Sequence, residues 1–274
     1  MRHMLRGGNI ALISARSNKS QTPDHFFCSR YITEAKTGES TTQSSLFSLY
    51  QYPNTKNKGL FDEDENFNIR KDRNHALSLS FVSAFTDHLG IKFISDGKGD
   101  LQQTFGPEDI FSYMYAIFHA PSYRERYAEF LKIDFPRLPL TSNTDLFREL
   151  CKLGDRLVGL HLMEKFGKIT TRYPVSGNDM VEKIDYTSPA DAPEQDRVWI
   201  NKTQYIDGVS LEVWEFHIGG YQVCQKWMKD RKGRKLEFND IKHYQRMVAA
   251  LAETIQLMGQ IDEIIDEHGG WPIQ

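Results

Sequence analysis

Pro23-Asp24 and Glu34-Ala35-Lys36 stand with nine residues between them. The chemistry such a set could do is Mg²⁺-dependent hydrolysis of a phosphodiester. Two carboxylates would converge on the ion and the lysine would lie beside the attacking water. The spacing argues against it. Phe26 to Thr33 contains no turn signal and reads as one continuous strand, which at about 3.3 Å per residue holds the two acids roughly 30 Å apart. A free-standing Mg-dependent nuclease using Asp24, Glu34 and Lys36 is therefore the alternative reading. Asp96-Gly97-Lys98-Gly99-Asp100 resembles a glycine loop, but no Gly-Lys-Ser/Thr follows and no helix opens directly behind it. A hairpin turn explains those glycines more simply. Ile218-Gly219-Gly220-Tyr221 is no dinucleotide fingerprint, and no Asn-Pro-Pro-Tyr stretch is present to hold a flipped base. The nine histidines show no metal-binding spacing. No complete active site is visible, and the sequence assigns no catalytic and no metal-ligating residue.

Recognition chemistry is better represented. Ile218 to Arg234 joins a Gly-Gly turn, aromatics, amides and basic residues. In it Gln222 could pair with a base edge, while Lys226, Lys229, Arg231 and Arg234 could meet phosphate or guanine. Arg16, Asn18, Lys19 and Gln21 repeat that vocabulary in a second loop, and the two segments are expected to face a duplex together. Against this, a basic run is most often a solvated face, Trp227 and Tyr221 could instead be core anchors, and for Trp227 the core reading is the more natural.

These residues need elements to hold them. The chain has 274 residues, 39% hydrophobic and 26% charged, enough for a sizeable core in one domain or two. Residues 1–53 read as strands (Asn9 to Ser14, Phe26 to Thr33, Ser45 to Tyr52). Residues 76–166 read as helical: Ala76 to Leu89, Pro107 to His119, a helix from Pro121 through Lys132, and one from Thr144 to about Phe166. Ile91 to Ser95 and Leu101 to Phe105 are short strands between the first two. Strand character returns over 168–235 (Lys168 to Val175, Val198 to Tyr205, Leu211 to Ile218), and a last helix covers 240–267. The fold class is α+β: mixed strands with inserted helices and a long C-terminal helix. The net charge of −3 argues against a nonspecific DNA coat, while the local basic runs permit a polyanion-binding face. No apolar run is long enough for a membrane span. Cys28, Cys151 and Cys224 are widely spaced, which suits a reducing interior and a cytoplasmic location.

Longer stretches carry a resemblance. Phe111-Ser112-Tyr113-Met114-Tyr115-Ala116-Ile117-Phe118-His119-Ala120-Pro121-Ser122-Tyr123-Arg124-Glu125-Arg126-Tyr127, Leu131 to Pro139, Val213 to Tyr221, Lys226 to Arg234 and Leu5 to Arg16 resemble the C-terminal specificity region of Type ISP restriction-modification enzymes. The resemblance implies that residues 1–274 form one target-recognition domain for double-stranded DNA. It would hold the duplex for a neighbouring adenine-N6 methyltransferase that flips its target base, in the service of antiphage defence. The implied partners are the methyltransferase and helicase domains of a parent polypeptide or a partner subunit, and no membrane. S-adenosylmethionine, ATP and Mg²⁺ are then cofactors of that parent and none belongs to this chain. Site-specific methylation and ATP-dependent endonuclease activity are implied for the parent alone.

Overall fold

The computed structural model describes residues 2–18, 23–38, 40–53, 73–188 and 196–273. It divides into two compact units, Met1–Val158 with Met258–Gln274, and Gly159–Leu257. Both mix helices with small sheets, the α+β arrangement that the sequence pattern implies.

In the first unit, β1 (Ala11–Ala15) is the middle strand of an antiparallel sheet between β2 (Phe26–Ser29) and β3 (Ser44–Ser48). Leu12 faces Cys28 on one side and Phe47 on the other. All of β1 is buried, which explains why it is apolar apart from Ser14: a strand covered on both faces has no polar alternation to show. β4 (Tyr50–Gln51) pairs with β5 (Asn74–His75). α1 (Leu79–Leu89) starts where the Ser78 hydroxyl accepts from the Phe81 amide and stops at left-handed Gly90. β6 (Lys92–Phe93) and β7 (Thr104–Phe105) pair in parallel. The hairpin expected at Asp96 to Asp100 is therefore wrong; glycine content marks a tight path but not the direction of the strand that follows.

α2 (Pro107–His119) is buried along almost its whole length, with proline and two carboxylates in its first turn. The single helix expected after it is two, α3 (Pro121–Arg126) and α4 (Ala128–Leu131), separated at Tyr127. α5 (Thr144–His161) is capped by Asn143, whose side-chain oxygen accepts from the Asp145 and Leu146 amides. It ends short of the expected Phe166, and Met163 beyond it is left-handed. Rings of Phe85, Phe105, Tyr113 and Phe147 pack with centroids 5.3–5.8 Å apart. A Cβ on Gly154 would stand 1.8 Å from the Ser112 carbonyl oxygen, so only glycine lets α5 lie this close to α2.

In the second unit, β8 (Asp185–Thr187), β9 (Arg197–Trp199) and β10 (Tyr205–Asp207) form an antiparallel sheet. α6 (Leu211–Glu215), the hairpin of β11 (His217–Ile218) and β12 (Tyr221–Gln222), α7 (Val223–Lys229) and α8 (Phe238–Glu267) complete it. α8 continues into the first unit's residues. Val198, Ile200, Ile206, Trp214, Cys224, Met228, Tyr244 and Val248 belong to one buried cluster. Three expected strands are corrected here. Val198 to Tyr205 is not one strand but the end of β9, a turn and the start of β10. Lys168 to Val175 is irregular apart from one bridge, Arg172 to Asp207. Leu211 to Ile218 is mostly helix, because the Ser210 hydroxyl accepts from the Val213 amide and starts a turn that outweighs the β-prone side chains.

Candidate nucleic-acid interface

The basic stretch of the second unit divides into two populations. Its entry is a hairpin turned by left-handed Gly219. Gln222 follows as the residue before α7, and its side-chain nitrogen donates to the Trp214 carbonyl. One of its amide donors is therefore spent, leaving the oxygen and the second N–H for a base edge. Lys226 pairs with Asp230 one turn on, and Lys229 donates to the Gln225 side-chain oxygen. Arg231 is held inward: its guanidinium lies 3.5 Å from the Trp227 ring centroid, donates to the Trp227 carbonyl at 3.1 Å and faces Asp240 at 3.5 Å.

Trp227 itself packs on His243 and Tyr244. It is the core anchor its type suggested. Beyond it the chain turns at left-handed Gly233, and Lys229, Lys232, Arg234 and Lys235 are exposed. The ammonium of Lys232 and the guanidinium of Arg234 have no partner among the described residues. These are two cations a polyanion could reach without breaking a bond within the protein.

In the first unit, Arg16 follows β1 with a side chain 75% exposed, in loose contact with Asp134 at 3.6 Å. Ser17 donates to the Lys132 carbonyl and the Asn18 amide to the Leu131 carbonyl. That pins the loop to the end of α4. Asn18 is 5% exposed, a position that offers little to a ligand. Lys19 and Gln21 lie outside the described residues. The two loops belong to different units.

The Asp24, Glu34 and Lys36 set is not a metal centre. β2 ends at Ser29, and the chain doubles back so that the Ala35 carbonyl accepts from the Ser44 amide, whose hydroxyl bonds His25. The continuous strand expected to hold the acids apart is thus absent, yet the chemistry still fails. Asp24 is buried, and its charge opposes the burial that pushes the Arg124 guanidinium down to about 10. Arg124 also donates to the Phe118 carbonyl at 2.7 Å and lies over the Phe26 ring. Asp24 is the counter-charge of a buried arginine, while Glu34 and Lys36 are exposed. Among the described residues no three His, Cys, Asp or Glu side chains converge to hold a metal.

The Asp96 to Asp100 loop is likewise closed to phosphate. The Gly99 and Gly106 amides donate to Asp109 Oδ2 at 2.6 and 2.9 Å, and the Gly97 amide donates to the Tyr50 hydroxyl. A carboxylate of the protein occupies the place an anion would take. Burial raises the Asp109 carboxyl, and the two amides oppose that rise.

The described helices contain none long and apolar enough to cross a membrane. The model of the family described as Type ISP C-terminal specificity domain matches residues 1–260. No curated protein matches the chain. Among solved structures it is similar to the DrdV–DNA complex seen by cryo-electron microscopy, with TM-score 0.64 and 18% identity over 92% of this chain and 24% of that one. It is similar to LlaBIII, an ATP-dependent Type ISP restriction-modification enzyme bound to DNA, with TM-score 0.63 and 19% identity over 97% of this chain and 16% of that one. A nuclease-deletion mutant of the Type ISP enzyme LlaGI, in complex with a DNA substrate mimic, gives TM-score 0.57 and 18% identity over 97% and 18%. The chain spans at most 24% of the length of these proteins, and at such identities the likeness is one of fold.

Proposed function

The chain belongs to the Type ISP C-terminal specificity domain family, and from that premise we propose that it is a sequence-specific recognition domain for duplex DNA. Residues 1–274 act in this reading as one domain built of two units. They place double-stranded DNA before a neighbouring adenine-N6 methyltransferase, which flips the target base into its own pocket. The methyltransferase and helicase domains belong to a parent polypeptide or a partner subunit, and the setting is antiphage defence in the cytoplasm. ATP, S-adenosylmethionine and Mg²⁺ serve those other domains. Two candidate sets among the described residues are committed within the protein: Asp109 fills the glycine loop, and Asp24 balances the charge of Arg124.

The observation that carries the reading is the family match over residues 1–260, joined to an outward-facing basic turn. Lys229, Lys232 and Arg234 supply phosphate contacts that set register, with Arg16 contributing from the first unit. Lys226 and Arg231 stiffen the turn from within, and Gln222 offers its remaining amide groups to a base edge. Sequence reading put Lys226 and Arg231 among the contacts and passed over Lys232. Side-chain pairing to Asp230 and Asp240 is what separates the two groups.

The test is binding of the full chain to duplexes selected from a randomised pool, measured against salt. Replacing Lys229, Lys232 and Arg234 together by alanine should weaken binding to all sequences. The salt slope should flatten by about 0.9 for each phosphate contact removed. Unchanged affinity and slope would show the turn to be a solvated surface.

A further inference from the structure

The Arg231 to Lys235 turn has two neighbours that sequence reading did not single out. The Val181 amide donates to the Arg234 carbonyl at 3.0 Å, and the Gly233 amide donates to the Val181 carbonyl at 2.7 Å. The Leu236 amide donates to the Asp179 carbonyl at 2.9 Å, so residues 179–181 run directly beside the turn. The Glu182 amide then donates to the Ile200 carbonyl at 2.8 Å. That bond draws the turn between β9 and β10, residues 200–204, to the same place. Asn201 ties it further, donating to the Met180 carbonyl at 3.1 Å and to the side-chain oxygens of Asn178 and Gln204. Three connections therefore emerge side by side within the second unit: residues 176–179, 200–204 and 231–235.

Among the polar groups on their inner side, Arg231 Nε makes no hydrogen bond and faces only Asp240 at 3.5 Å, whereas the Gln204 amide is bonded throughout. Gln204 is fully buried. Its nitrogen donates to the Tyr173 hydroxyl, the Val175 carbonyl and Asp179 Oδ1, and its oxygen accepts from the Asp179 amide. A buried amide with every bond made fixes the 173–179 connection as rigidly as a strand would. What the three connections leave facing outward is basic and polar. Exposed Lys202, Lys232, Arg234 and Lys235 stand against exposed Glu182 and Glu237, and the ammonium of Lys202 has no partner among the described residues.

Asn178 is exposed and its amide is held in one sense. The oxygen accepts from the Met180 amide at 3.0 Å and from Asn201 at 3.3 Å. Its nitrogen has no partner among the described residues. A side chain held this way presents donors only and has little conformational freedom to lose on binding.

We propose that these three connections form one reading head for duplex DNA, in which Lys202 contacts phosphate and the Asn178 amide nitrogen reads an acceptor on a base edge. The proposal rests on the DNA-recognition reading above and names further residues that serve it. A donor-only side chain selects the acceptor edges of guanine or thymine in the major groove. An aspartate in its place keeps the oxygen that Met180 and Asn201 hold and turns the outward group into an acceptor. It should then favour a donor edge such as cytosine.

The experiment selects duplexes from a randomised pool with the full chain and with its Lys202→Ala and Asn178→Asp variants, each checked by thermal unfolding. Affinities are then measured across a salt series. Both positions are exposed, so neither change should unfold the protein. Lys202→Ala should lower affinity for every duplex and flatten the salt slope by about 0.9. Asn178→Asp should change the selected base at one position, disfavouring the original base by about 5- to 150-fold. If the wild type selects a sequence and both variants match it in sequence, affinity and slope, this reading head is wrong while DNA recognition stands. If the wild type selects no sequence, the recognition reading fails and takes this inference with it.

Discussion

The Arg231 guanidinium lies over the Trp227 indole, 3.5 Å from the ring centroid, while Arg234 three residues later is exposed. The two arginines share a turn and do different work. Removing Arg231 strips a cation–π contact, a hydrogen bond to the Trp227 carbonyl and an ion pair with Asp240. Arg231→Ala should destabilise the folded chain by about 1–2 kcal/mol, and Arg234→Ala by less than about 0.5 kcal/mol. Urea unfolding of the two variants checks this; equal losses would mean that the stacking contributes nothing.

Asp109 closes the glycine loop from inside. Its Oδ2 accepts from two backbone amides, of which the Gly106 bond is buried and the Gly99 bond partly so, and the residue is 3% exposed. Asp109→Ala leaves both donors unpaired and should cost about 2–5 kcal/mol. Asp109→Asn keeps an oxygen at the same place and should cost about half as much. Equilibrium unfolding of both variants decides it, and a harmless alanine would remove Asp109 from this role.

Asp100 provides a pH signature. Its Oδ1 accepts from the Gln102, Gln103 and Thr104 amides, and these bonds hold the carboxyl down at about 2, against 3.8 without them. A carboxylate whose folded value lies below its unfolded one stabilises the fold fully above the unfolded value. That contribution is lost as pH falls through 3.8 toward 2. The stability difference between wild type and Asp100→Asn should therefore shrink across that window and stay constant above it. A difference that does not change on acidification contradicts the assignment.

How much of this the sequence discloses depends on the range of the interactions involved. α2 and α8 are legible because their apolar spacing and, for α2, its opening proline and carboxylates are local facts. α6 is missed because Val213, Trp214, Phe216 and Ile218 give the longer run a strand-like look, while the helix start at the Ser210 cap is a single residue. The parallel pairing of β6 and β7 leaves no local trace at all. At the candidate site, the basic composition of residues 226–235 is plain in the sequence, but which cations are free is not. Arg231 is occupied by Trp227 and by Asp240, the latter brought to it by the tertiary fold. Gln204 is less legible still. It reads as part of a Val198 to Tyr205 strand until the fold turns the chain there and brings Tyr173, Val175 and Asp179 around it.

Asp24 separates a structural carboxylate from a catalytic one. If it serves a metal-dependent hydrolysis, its removal should abolish Mg²⁺-dependent cleavage and leave the fold intact. Its burial beside Arg124 makes the opposite forecast. Arg124 keeps its bond to the Phe118 carbonyl and its place over Phe26, but neither supplies a negative charge. An uncompensated buried guanidinium then remains, a loss of about 3–5 kcal/mol for Asp24→Ala. Asp24→Asn retains the shape without the charge and should fall between the alanine variant and wild type. The wild-type chain incubated with plasmid and Mg²⁺ should nick nothing. Calorimetric unfolding of the two variants beside that assay gives the answer: nicking that vanishes in an Asp24→Ala protein of undiminished stability would return Asp24 to catalysis, and a large fall in stability with no activity to lose keeps it where the fold puts it.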